Sequence, residues 1–172
     1  MTLELRPVTL EEKPILLNLI EKYLYDFSLY EKMDVSPLGL YGYNWLDYYW
    51  NDEKRWVYFI MADGNLAGFL MVNDFPEAPG IECDYAMSEF FIMNKYKRSG
   101  VGTWAAKTAF DMFRGRWQLK YLPTNVPSKK FWDRVVTEYT GGTGTLMEAV
   151  PNTEYADGTL GNIWLFDNSE KE

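Results

Sequence analysis

The stretch that decides the fold is Phe90-Phe91-Ile92-Met93-Asn94-Lys95-Tyr96-Lys97-Arg98-Ser99-Gly100-Val101-Gly102-Thr103-Trp104-Ala105-Ala106-Lys107-Thr108-Ala109-Phe110. It reads as a strand, a basic turn containing glycine, and a helix. Four apolar residues precede a turn in which Lys95, Lys97 and Arg98 place three cations in four positions, and Gly100 and Gly102 open the helix-forming run. The first N–H groups of a helix have no intrahelical acceptor and, together with the positive end of the helix dipole, face whatever lies in front of them. Glycine at that point lets an anion approach the backbone closely. The layout is that of a pyrophosphate cradle.

Around this stretch the chain has 172 residues, enough for one core, and is taken as a single domain over residues 1–167 with 168–172 as a disordered tail. No stretch approaches the length of a membrane span, and no basic region followed by an apolar one marks a secretion signal at the N-terminus. The single cysteine, Cys83, allows no internal disulfide, so the expected compartment is the cytoplasm. A net charge of −8 argues against nucleic acid as a partner and favours a cationic one, although acidity for solubility alone leaves the same trace. The complete absence of histidine is more informative. It removes histidine bases, histidine triads and histidine metal sites, and one cysteine builds no thiolate metal site, so no metal is expected. Acid–base chemistry falls to carboxylates, tyrosines, lysines, Cys83, backbone or water.

Taken in order, Leu3 to Arg6 alternate as a short strand. Ile15, Leu16, Leu19, Ile20, Tyr23 and Leu24 recur at helical spacing between Leu10 and Tyr30, with Pro14 in the first turn. The aromatic end of that helix serves as core or as a pocket wall. Residues 31–43 form a loop, and the aromatic run Tyr41 to Trp50 suits a short helix over Trp45 to Trp50 that walls a substrate or covers the core. Trp56 to Ala62 and Leu66 to Val72 are strands joined by Asp63-Gly64, a strong hairpin signal. A longer strand over Tyr85 to Met93 delivers the chain to the glycine turn, and the helix from Val101 to about Arg114 follows. Gln118 to Leu122 is a strand, Lys129 to Val136 a helix with Ser128 as its cap, and Thr145 to Val150 and Leu160 to Phe166 are the last strands. The order is mixed, of the α+β class, with a mostly antiparallel sheet.

Gly100-x-Gly102-x-x-Ala105 matches the dinucleotide-binding pattern, but the acidic ribose ligand expected about 20 positions on is missing, and so is the repeated β-α alternation. No Gly-Lys-Ser/Thr closes the turn as a P-loop. The run Phe91 to Gly102 instead resembles motif A of the GNAT N-acetyltransferases, Gln/Arg-x-x-Gly-x-Gly/Ala after a strand, with Lys97 in the Gln/Arg place. Asn125-Val126-Pro127-Ser128-Lys129-Lys130-Phe131-Trp132 is similar to motif B, Asn-x-x-Ala-x-x-Phe-Tyr. The element order agrees from about Leu3 to Phe166, and the aromatic N-terminal half resembles a bacterial subgroup of predicted acetyltransferases.

The resemblance implies a GNAT-like twisted sheet of about seven strands with helices on both faces, acetyl-CoA as cofactor, and acetyl transfer to an amine-bearing acceptor by direct attack. It implies pyrophosphate binding by Lys97, Arg98, Ser99, Gly100, Val101 and Gly102, with Thr103 as a further donor. Backbone pairing of the pantetheine arm with Phe91 and Ile92 follows from it too, as do contacts from Asn125, Ser128 and Phe131. Family members use a tyrosine where this chain has Trp132, so Tyr139 and Tyr121 are the substitutes for the general acid. Glu89 is the candidate base, Asp84 a weaker one, and Cys83 the nucleophile of an alternative covalent route. A sensor that binds acyl-CoA without turnover is the competing function. The acceptor itself, and assembly as a homodimer, are open at this level.

Overall fold

The computed structural model describes residues 1–170. One seven-stranded sheet runs through it in the order β1-β2-β3-β4-β5-β7-β6. The strands are β1 (Leu3–Pro7), β2 (Arg55–Ala62), β3 (Asn65–Asn73), β4 (Tyr85–Ile92), β5 (Arg116–Tyr121), β6 (Thr145–Met147) and β7 (Asn162–Asp167). Every neighbouring pair is antiparallel except β4 and β5, which are parallel. The Asp63-Gly64 hairpin forms as its residues dictate. Both central positions have positive φ, 49° and 75°, the geometry that matches the twist of the flanking strands.

Four α-helices cover the two faces: α1 (Lys13–Glu31), α2 (Tyr48–Asn51), α3 (Val101–Met112) and α4 (Val126–Thr140). On one face Leu16, Leu19 and Ile20 of α1 and Tyr49 of α2 pack on Val57, Phe59, Phe69, Met71 and Phe91. On the other, Ala105, Ala109 and Phe110 of α3 and Trp132, Val135 and Val136 of α4 pack on Leu70, Val72, Trp117, Leu119 and Phe166. Among the described residues, no helix is long and apolar enough to cross a membrane.

Several boundaries differ from expectation for local reasons. Pro14 sits in the first turn of α1, where its missing N–H costs nothing, and Leu10–Glu12 ahead of it wind as a 3-10 turn. The helix expected from Trp45 shrinks to α2, and β6 ends three residues early at Met147. Helix α4 starts before Lys129 because Asn125, not Ser128, is its cap: Asn125 Oδ1 accepts the Ser128 N–H at 3.1 Å, and Pro127 fits the first turn. The expected tail begins too early as well. Asn168 is buried, donating to Phe110 O at 2.6 Å and to Tyr139 Oη at 3.1 Å while its Oδ1 accepts the Gly115 N–H at 2.8 Å. Lys171 and Glu172 of that tail lie outside the described residues.

Candidate active site

The parallel seam between β4 and β5 is short. Only Tyr85 with Trp117 and Ala86 with Gln118 are in register, and beyond Ala86 the two strands part. A bulge sets in at the same point, because β4 pairs Met87 with Val72 and Glu89 with Met71, leaving Ser88 as the extra residue. Met93 N–H donates to Ala67 O in β3 at 2.8 Å. Strand alternation then turns the backbone of Phe91 toward β3 and those of Phe90 and Ile92 toward the gap facing β5. Of the two residues expected to line that gap with backbone, Ile92 does so and Phe91 is used by the sheet.

At the end of β4 the chain makes one 3-10 turn, Asn94–Tyr96, and enters α3 through Arg98 (φ 63°) and Gly100 (φ 87°). Among the described residues, no backbone N–H from Arg98 to Thr103 donates to an acceptor; Trp104, bonded to Gly100 O at 3.0 Å, is the first that does. Six consecutive free amides at a helix N-terminus make a concentrated anion site. Gly102 shows why its side chain is absent. A Cβ there would lie 3.3 Å from Ile92 Cγ1 and 3.3 Å from Phe131 Cε2, so the turn rests directly on β4 and α4. Phe131 in turn stacks on Phe90 at 5.6 Å, joining the two motifs in one wall.

The side chains at the cradle divide. Lys97 Nζ bonds Asp26 Oδ2 of α1 at 2.7 Å, tying the turn to the opposite face rather than offering its charge to the cradle. Ser99 Oγ donates to Tyr96 O at 2.6 Å, and Thr103 Oγ1 accepts from Arg134 at 3.2 Å. Arg98, exposed and without a hydrogen bond or ion pair among the described residues, is a cation left at the mouth. Asn125 uses its carbonyl oxygen on the α4 cap, which leaves its amide group as the donor.

Glu89 points from β4 to the α1/α2 face, where Tyr43 Oη donates to it at 3.2 Å and Tyr23 supplies a second hydroxyl. Burial pushes its carboxyl up to about 7, against the pull of those two hydroxyls and of Lys120. A carboxylate poised there is suited to take a proton near neutral pH. Asp84, the weaker base, is a structural group: Arg116 binds it through Nε at 3.0 Å and Nη2 at 2.9 Å and holds its carboxyl down at about 2. Burial and the neighbouring Asp74 and Asp84 push the Cys83 thiol up to about 11, which leaves almost no thiolate for nucleophilic attack.

The two tyrosines expected to act as acids are elsewhere. Tyr139 is buried between Phe110 and Phe166 and donates to Asp111 Oδ1 at 2.8 Å. It lies about 10 Å farther along α4 than Trp132, which is the residue that meets Phe90 of β4. Tyr121, on the α4 face of β5, donates to Asp133 Oδ1 at 2.8 Å. Burial and that carboxylate raise its pKa, making it a weaker acid than a free tyrosine.

The structure joins residues that local sequence patterns leave unconnected. Tyr43 reaches Glu89 from the loop between α1 and α2, and Tyr155 of the β6–β7 loop packs on Phe27 of α1 at 6.1 Å, where Ala156 N–H also bonds Glu31 at 2.8 Å. Gln118 is buried at the seam. Its Oε1 accepts the Glu77 and Ala78 amides at 2.7 and 2.8 Å and its Nε2 donates to Ile81 O at 2.9 Å, so it fixes the β3–β4 connection where the strands part. A glutamine flanked by Trp117 and Leu119 is the one signal that points to it.

A family model described as "Acetyltransferase (GNAT) family" matches residues 20–136, the span from α1 to the middle of α4. No curated protein matches the sequence. Solved structures share the fold at low identity. An acetyltransferase from Thermus thermophilus is 17% identical with a TM-score of 0.63, covering 97% of both chains. Spermidine N-acetyltransferase from Vibrio cholerae, in complex with CoA and spermine, is 12% identical with a TM-score of 0.65, covering 98% of this chain and 96% of that one. RimL, a ribosomal L7/L12 alpha-N-protein acetyltransferase in complex with coenzyme A, is 17% identical with a TM-score of 0.65 over 98% and 96%. The glycine turn, the parted strands behind it and the matched span agree: the chain belongs to the GNAT family of acetyltransferases.

Proposed function

We propose that this protein transfers an acetyl group from acetyl-CoA directly to a primary amine, with Glu89 as general base. The observation that carries the reading is the cradle of six free amides, Arg98 to Thr103, opening beside the gap between β4 and β5. Those amides suit the pyrophosphate of the donor, with Arg98 adding charge. The Ile92 backbone and the Asn125 amide group suit the pantetheine arm, and Phe131 with Gly102 sets how deeply it enters. GNAT acetyltransferases use acetyl-CoA and amine acceptors, which supports both substrate classes.

In this scheme Glu89 takes a proton from the acceptor ammonium, the free amine attacks the acetyl carbonyl, the C–N bond forms, the tetrahedral nitrogen gives its extra proton to solvent, and the C–S bond breaks. An N–H facing the gap, such as that of Ile92, stabilises the charge that develops on the carbonyl oxygen. The departing thiolate takes its proton from solvent, since Trp132 has no acidic hydroxyl and Tyr121 is engaged with Asp133. Release of free thiol from acetyl-CoA with a panel of primary amines tests the proposal. Trp132 in the tyrosine place favours one second reading, an acyl-CoA sensor. Saturable CoA binding with no thiol release on any amine would decide for the sensor.

A further inference from the structure

The surroundings of Glu89 carry information about the acceptor. Four rings stand on this face: Tyr23 and Phe27 on α1, 6.0 Å apart, Tyr43 on the following loop, and Tyr155 facing Phe27 from the β6–β7 loop. All four, and Glu89 itself, keep some solvent-accessible surface. Four carboxylates around Glu89 already hold partners. Glu77 pairs with Lys120 at 3.5 Å, Asp26 with Lys97 at 2.7 Å, Glu31 accepts the Ala156 N–H, and Glu21 accepts the N–H groups of Tyr41 and Gly42 at 2.9 and 2.8 Å. Lys120 also lies 4.9 Å above the Tyr155 ring, a fixed positive charge at the rim.

We propose that the acceptor is a primary monoamine with an apolar body, its ammonium held by Glu89 and its body packed within Tyr23, Phe27, Tyr43 and Tyr155. This rests on the transferase reading above and adds the class of amine. An incoming ammonium replaces the Tyr43 hydroxyl on Glu89, exchanging a neutral donor for a cationic one, and aromatic faces add cation–π attraction. A polyamine gains less: the carboxylates near its second ammonium already hold Lys97, Lys120 or backbone N–H groups, so a further ion pair must displace one of these or share the carboxylate with it. A peptide amine brings backbone amides that must be desolvated against ring faces, a cost that only the tyrosine hydroxyls offset.

The test compares 2-phenylethylamine, spermidine and a lysine-containing peptide in two assays: thiol release from acetyl-CoA, and binding to the CoA-loaded protein followed by intrinsic fluorescence. The expected result is kcat/KM for 2-phenylethylamine at least tenfold above either competitor, with the same order in binding. Phe27→Ala and, independently, Tyr155→Leu should each raise KM for 2-phenylethylamine about tenfold while changing kcat less than threefold. Equal or better use of spermidine or the peptide overturns the proposal, as does 2-phenylethylamine that neither binds nor reacts. Selective binding of 2-phenylethylamine without thiol release from any amine supports this proposal and refutes the transferase reading instead.

Discussion

Replacing Glu89 by glutamine should lower activity and raise stability together, and the second effect depends on pH in a defined direction. Glutamine keeps the shape and still accepts the Tyr43 hydroxyl but cannot take a proton. Removing a general base costs roughly 10²–10⁴ in rate. For stability, the folded protein holds this carboxyl at about 7, above its ordinary value of 4.5. A raised carboxyl pKa means that the folded state binds a proton more tightly than the unfolded chain, so stability is fully present at acid pH and is lost as pH rises between those two values. The shift corresponds to at most about 3 kcal/mol. In Glu89→Gln that loss is absent, so at pH 8 the variant should melt up to roughly 10 °C higher than the parent, with little difference at pH 5. Thermal unfolding at the two pH values reads this directly. In the parent, kcat/KM should rise through about pH 7, with the midpoint unchanged when amines of different basicity are compared, and in the variant that step should vanish. A variant no more stable than the parent at pH 8 would show that Glu89 is not a strained carboxylate, and one within threefold of parental kcat/KM would show that it is not the base.

Tyr139→Phe should cost about 1 kcal/mol through its lost bonds to Asp111 and Asn168, as read by urea unfolding, and should leave kcat within twofold of the parent. Gly102→Ala, whose Cβ would press on Ile92 and Phe131, should weaken CoA binding about tenfold in calorimetry while the fold persists. Cys83→Ser should retain parental turnover, since the thiol stays protonated at working pH; loss of activity would revive the covalent route. Gly68→Ala should destabilise by about 3 kcal/mol or more, because its Cβ would fall 1.9 Å from the Phe91 carbonyl oxygen, and unchanged thermal stability would contradict the close β3–β4 approach.

The cradle is legible in the sequence because its signal is local: basic turn, two glycines and a helix lie close together in the chain, and each has its own backbone reason for being there. Strand and helix order follow from periodicity and from Asp63-Gly64. What escapes such a reading depends on contacts between distant segments. Which face of the sheet Glu89 takes is decided by the bulge at Ser88, which resets the alternation of β4, and its partner Tyr43 lies 46 residues away. Tyr139 reads as available for catalysis when only its side-chain chemistry is considered. It shares the buried stripe of Trp132, Val135 and Val136, which is what makes it core. Ser128 and Asn125 are both good caps, and the choice turns on Pro127, which fits the first turn of a helix begun at Val126.

The two-residue seam between β4 and β5 has a consequence for how the molecule breathes. The sheet is a four-stranded half, β1 to β4, and a three-stranded half, β5, β7 and β6, that share a narrow hinge of backbone pairing. Amide hydrogens on the gap-facing edge of β4, at Phe90 and Ile92, have no partner strand to slow their exchange with solvent, whereas Met93, bonded to Ala67, does. A ligand lying along that edge acts as a missing strand, so its arrival is written into the exchange rates of those two amides before any chemistry takes place.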